Sequence, residues 1–107
     1  MSLRGRVAIV TGGTRGIGRA IALGFAKEGA TIVIADIDPA QSLIESQFRQ
    51  LQTRFMIEQT DVSEESHVKS LIAKVIAEFG KINILVNNAG GSTARSDILG
   101  TSLEDFK

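Results

Sequence analysis

The chain has 107 residues, room for one small domain, and its 43% apolar and 22% charged residues are the balance of a globular protein. Twelve basic residues match twelve acidic ones, so no bulk field draws it to nucleic acid or to an anionic membrane. It has no cysteine and a single histidine, His67, which excludes disulfides, thiolate catalysis and clustered Cys or His metal sites.

Val7 to Val10 is a short apolar run of the kind a parallel sheet buries on both faces. It leads into Thr11-Gly12-Gly13-Thr14-Arg15-Gly16-Ile17-Gly18, a glycine-rich turn that opens a helix. Gly12 lets the backbone leave the strand sharply. Gly16 removes a Cβ where an anion must approach the backbone, and Gly18 lets the helix lie close to the strand. The N–H groups and positive dipole end of that helix then form an anion site, and a dinucleotide pyrophosphate is the expected anion. An ordinary strand-to-helix turn would need only one glycine. Thr14 and Arg15 offer a hydroxyl and a cation beside the phosphates.

Helix one is expected from about Gly16 to Glu28, with Ile17, Ala20, Ile21, Gly24 and Phe25 on one face and Gly29 as its terminator. Strand two is Thr31 to Ala35, closed by Asp36. Helix two starts near Pro39 and carries Leu43, Ile44, Phe48 and Leu51 inward, with Glu45 and Arg49 as an i,i+4 surface pair. Strand three is Arg54 to Glu58 and leads into Thr60-Asp61-Val62. Ser63 is the expected cap of helix three, with Glu64 and Glu65 in its first turn. Val68, Leu71, Ile72, Val75, Ile76 and Phe79 form its apolar stripe and Gly80 ends it. His67 falls on its polar face and reads as a solvated surface residue. Strand four is Ile82 to Val86, followed by Asn87-Asn88-Ala89-Gly90-Gly91 and a polar loop to Thr101. Ser102, with Glu104 and Asp105 behind it, reads as the N-cap and acidic first turn of a fourth helix. Strand and helix alternate throughout, so right-handed crossovers, a parallel sheet and an α/β fold follow. No repeat or linker divides the chain, and residues 1–107 read as one domain.

With these motifs in place, the sequence resembles the classical short-chain dehydrogenase/reductase family. Thr11 to Gly18 is similar to that family's T-G-x-x-x-G-I-G loop, and Asn87-Asn88-Ala89-Gly90 to its N-N-A-G turn. Asp36 ends strand two, and Asp61-Val62 follows strand three. The resemblance spans essentially the whole chain. It implies a Rossmann-type, doubly wound sheet in the order 3-2-1-4, with the ligand at the switch point between strands one and four.

It also implies a role for each motif. Gly12, Thr14, Arg15, Gly16, Ile17 and Gly18 would hold the pyrophosphate. Asp36 lies 18 residues past Gly18, near the ~20 expected for the carboxylate that accepts the adenosine ribose hydroxyls. A turn or N-cap aspartate before Pro39 is its ordinary alternative, a task Asp38 could also fill. Ile37 stands where NADP-using relatives often carry Arg; with Asp36 it favours NAD over NADP, while Arg15 points the other way. Asp61 and the backbone of Val62 would meet the adenine. Asn88, Ala89 and Gly90 would run along the adenosine ribose, and Asn87 would tie strand four to its neighbours.

The expected function is the cofactor-binding half of an NAD(P)-dependent oxidoreductase, which moves hydride between nicotinamide and an alcohol or carbonyl substrate. A non-catalytic nucleotide-binding module acting by association is the alternative. The family's catalytic Tyr, Lys, Ser and Asn all lie beyond the N-N-A-G turn. The chain has no tyrosine at all, so it offers no catalytic residue and is expected to be inactive alone. No metal is implied. The family implies a homo-oligomer. A cytoplasmic location is the default expectation, given the lack of an apolar leader or of a run near the ~20 residues of a membrane span. Strand four is an apolar strand with an open edge, and helix three covers its face of the sheet nearly alone. The isolated polypeptide is therefore expected to aggregate, to oligomerise or to be completed by another chain.

Overall fold

The computed structural model describes residues 2–14, 16–37 and 41–88, the side chains of Gln41 and Ser42 aside. The expectations for Arg15, Asp38, Pro39, Ala89, Gly90, the loop to Thr101 and the Ser102 cap fall outside them. In chain order the elements are β1 (Val7–Thr11), α1 (Gly16–Lys27), β2 (Thr31–Asp36), α2 (Gln41–Gln50), β3 (Phe55–Gln59), α3 (Glu65–Phe79) and β4 (Ile84–Asn87). The strands form one parallel sheet in the order β3-β2-β1-β4. The predicted fold class and strand order are both observed.

Side chains alternate across the sheet and feed two cores. Val7, Ile9, Val33 and Ala35 face α3, where they meet Val68, Leu71, Ile72 and Val75. Ala8, Val10, Ile32 and Ile34 face α1 and α2, where they meet Ala22, Ala26, Ile44 and Phe48. Every residue of β1 is buried, whereas β4 and most of β3 are half-buried, as expected for strands at the flanks of this sheet.

Three helical expectations change. In α1 the inward line is Gly18, Ala22 and Ala26, while Ile17 is 74% exposed and Ala20 and Gly24 face solvent. The helix lies so close to the sheet that only small residues fit beneath it, so hydrophobic size misassigns the face. In α2 only Ile44 and Phe48 are buried, and Leu43 (51% exposed) and Leu51 lie outside. Ile44 and Phe48 are an i,i+4 pair on one face of this ten-residue helix. In α3 the N-cap is Glu64, without a side-chain cap, and not Ser63. The Ser63 hydroxyl and N–H are both engaged by Asp61 Oδ1, at 2.6 and 3.0 Å. The expected terminators hold: Gly29 (φ +97°) and Gly80 (φ +81°) adopt the left-handed region that favours glycine.

Strand four is regular only from Ile84. Asn83 occupies the preceding ladder position with its side chain: Oδ1 accepts the Val7 N–H at 2.8 Å, and the Asn83 N–H donates to the Val7 carbonyl at 2.9 Å. This two-way clasp sets the β1–β4 register from the amino end.

Candidate functional site

The four strands are parallel, so the segments that follow them all emerge at one edge of the sheet. Gly12 and Thr14 follow β1, Asp36 closes β2 with Ile37 beside it, Asp61 and Val62 follow β3, and Asn88 follows β4. The described site residues predicted from the sequence are thus gathered at one end of the sheet.

The turn after β1 is built around three different glycine requirements. Gly12 has φ +65° and donates its N–H to the Ala35 carbonyl at 2.7 Å, which turns the chain toward β2. Gly16 also lies in the left-handed region, at φ +59°, and among the described residues the space a Cβ would take there is open beyond its own helix and chain neighbours. Gly18 is the opposite case. A Cβ there would stand 2.1 Å from the Gly12 carbonyl oxygen and 2.6 Å from Asn88 Nδ2. One glycine therefore leaves open space above the loop and another lets helix and strand touch. Gly13, to which the sequence reading assigned no role, is a packing residue, since its Cβ would fall 2.5 Å from Ile34 Cδ1.

Asp36 is tied to this loop. Its Oδ2 accepts the Thr14 hydroxyl at 2.6 Å and the Thr14 N–H at 3.4 Å, and Asp36 is only 9% exposed. A hydroxyl donating to a carboxylate at this length is a strong, charge-assisted bond. The Thr14 hydroxyl is thus turned toward Asp36. Ile37 is 60% exposed, and its carbonyl accepts from Gln59 Nε2 at 3.0 Å. The Asp36 carbonyl accepts the Thr60 N–H at 2.9 Å, so the ends of β2 and β3 are joined beyond the regular ladder.

Between β1 and β4, Thr11 is the connector. Its hydroxyl donates toward Asn87 Oδ1 at 3.1 Å and accepts the Asn88 N–H at 2.8 Å. Asn88 Nδ2 in turn donates to the Gly12 carbonyl at 3.3 Å. Asn87 joins β4 to β1, in the manner expected of it. Thr11 was not singled out in the sequence; a hydroxyl at a strand end directly before a glycine turn was the available signal.

After β3, Asp61 organises its own turn. Its carboxylate takes both Ser63 donors, and its carbonyl accepts the Glu64 N–H at 3.0 Å. These Ser63 bonds, hydroxyl first, hold the Asp61 carboxyl below its ordinary range, with a smaller contribution from His67. His67 is exposed, but its ring is not simply solvated, because Nδ1 accepts the Asp61 N–H at 3.2 Å. Among the described residues no group of three or more acidic or histidine side chains could hold a metal ion, and no helix is long and apolar enough to cross a membrane.

A β3-β2-β1-β4 parallel sheet with a glycine turn opening its first helix defines the Rossmann class. The family profile described as short chain dehydrogenase matches residues 6–107. An uncharacterized oxidoreductase, YhdF of Bacillus subtilis, is 40% identical over 107 residues, which is 98% of this chain and 37% of that protein. The solved 7α-hydroxysteroid dehydrogenase complexed with NADH and 7-oxo glycochenodeoxycholic acid superposes with a TM-score of 0.79 at 38% identity, covering 84% of this chain and 36% of that one. A short chain dehydrogenase from Mycobacterium paratuberculosis bound to NAD gives a TM-score of 0.77 at 31% identity over 86% of this chain and 39% of that one. The chain belongs to the short-chain dehydrogenase/reductase family, a family of oxidoreductases. It spans 36–39% of the length of these three relatives.

Proposed function

We propose that this chain is the cofactor-binding portion of an NAD-dependent dehydrogenase acting on an alcohol or carbonyl substrate. The observation that carries the reading is the pairing of open space above the glycine turn at Gly16 with the buried carboxylate of Asp36. The space above Gly16 lies at the start of α1, a helix with no acidic residue in its first turn. Asp36 is fastened to the same loop through Thr14. An anion favours the first place, and the second favours a free ribose diol over a 2′-phosphate, by hydrogen bonding and by charge repulsion.

In this reading the loop from Gly12 to Gly18, with Arg15, holds the pyrophosphate, and Ile17 flanks it. Asp36 and Ile37 meet the adenosine ribose, Asp61 and Val62 the adenine, and Asn88, Ala89 and Gly90 the inner edge of the ribose. When bound, the nicotinamide supplies hydride transfer. These residues bind and orient it; none of them moves the proton that accompanies hydride transfer. With no tyrosine in its 107 residues, the chain alone turns over no substrate. The intact protein assembles as a homo-oligomer in the cytoplasm.

Calorimetry with NAD and NADP tests the assignment. NAD is expected to bind more tightly. Tighter binding of NADP would overturn the role given to Asp36. An absence of heat with either, on folded protein, would remove the nucleotide site altogether.

A further inference from the structure

The turn between β3 and α3 is held by more bonds than its length requires. The Asp61 carboxylate takes Ser63, its carbonyl takes the Glu64 N–H, and its own N–H is accepted by His67 Nδ1 at 3.2 Å. The first two are local, spanning two or three residues. Only the His67 bond reaches from the turn into the body of α3, where the His67 N–H is itself bonded to the Glu64 carbonyl and the next residue, Val68, is buried in the core. His67 therefore adds a side-chain link from α3 to the Asp61 backbone, beside the Thr60 N–H bond to the Asp36 carbonyl and the packing of Val62 on the core.

We propose that His67 is a positioning residue for the adenine end of the nucleotide site: it aims Asp61 and Val62 by holding the Asp61 N–H. The inference rests on the nucleotide-site reading given above. A nucleobase edge is read by groups whose direction matters as much as their presence. A turn that must be ordered at the moment of binding costs conformational entropy that a pre-ordered turn does not. The neutral imidazole serves here as an acceptor. Lysine and arginine have no acceptor, and leucine has the bulk without the lone pair. Asparagine places its Oδ1 close to where Nδ1 sits and can take the same N–H.

The experiment compares the intact protein carrying this chain with its His67→Leu and His67→Asn variants. NAD and AMP affinities are measured by calorimetry, and exchange of the Asp61 amide proton by NMR. For His67→Leu the expected result is a three- to tenfold loss of affinity, about what one exposed hydrogen bond is worth. The loss should be the same for AMP as for NAD, with faster Asp61 amide exchange and unchanged far-UV circular dichroism. His67→Asn should restore both affinity and protection. Wild-type affinity in His67→Leu would overturn the inference and leave the nucleotide site standing. An Asn variant as weak as the Leu variant would overturn it too, because the hydrogen bond would then not be the cause. Failure of the wild-type protein to bind either nucleotide would overturn both readings.

Discussion

Helices α1 and α3 enter the fold in the same way, each from the carboxyl end of a parallel strand, but their first turns differ in every physical respect. The first turn of α1 has no acidic residue, begins at a glycine in the left-handed region, and lies against the sheet through Gly18. The first turn of α3 carries Glu64 at the N-cap and Glu65 behind it, and the helix is held off the sheet by Val68, Leu71, Ile72 and Val75. Carboxylates complement the positive end of a helix, so α3 satisfies its dipole with its own side chains. In α1 no acidic side chain stands in the first turn. One helix is built mainly for adhesion to the core and the other for close approach to the sheet.

Substitutions can break that contrast, and the largest stability effect belongs to α3. Ile72→Ala should lower the unfolding free energy by about 2–5 kcal/mol, the usual range for truncating a buried aliphatic side chain, in denaturant titration. Binding of NAD per folded molecule should be unchanged. Gly18→Ala in α1 should be destabilising by about 1–3 kcal/mol through overpacking, since the new Cβ meets the backbone of Gly12 and not a movable side-chain end. Here calorimetry should also show NAD binding abolished, so stability and binding fall together. Ile17→Glu should separate them in the other direction. Ile17 is exposed, and a carboxylate in the first turn of α1 favours the helix by about 0.3–1 kcal/mol. The same charge should weaken NAD by about tenfold through repulsion of the pyrophosphate. A more stable protein with undiminished NAD affinity would show that no anion sits at this helix end.

The smallest effect is expected at the turn before α3. The Asp61 carboxyl is held below its ordinary pKa of 3.8 chiefly by the Ser63 hydroxyl. Because the native value is the lower one, the resulting stability is complete above the ordinary value and is lost as pH falls through the native one. Ser63→Ala should therefore raise the Asp61 pKa in an NMR titration and flatten the acid side of the stability profile. At neutral pH it should change little.

The order of elements was legible in the sequence because each rests on local, repeating signals. Val7 to Val10 and Thr31 to Ala35 are apolar runs long enough for a strand and too short for a helix. Gly29 and Gly80 end helices because few other residues tolerate the left-handed backbone found there. The glycine turn and Asp36 stood out by their spacing from strand ends, a property of the chain alone, while Asp61 and Asn88 stood out through their resemblance to the family's motifs. What the chain could not state was distance across space. Whether α1 shows the sheet Ile17 or Ala22 depends on how near the helix lies, and that is decided by the Gly12 carbonyl beneath Gly18. Thr14 binds Asp36, Thr11 joins Asn87 and Asn88, and Asn83 clasps Val7, pairs separated by 22 to 77 residues. No periodicity encodes them. Sequence determined which groups would gather at the carboxyl end of the sheet, because strand direction and glycine conformation are local matters. Tertiary structure alone decided which of those groups are engaged with each other, because a hydrogen bond forms only between atoms that packing has already brought within reach.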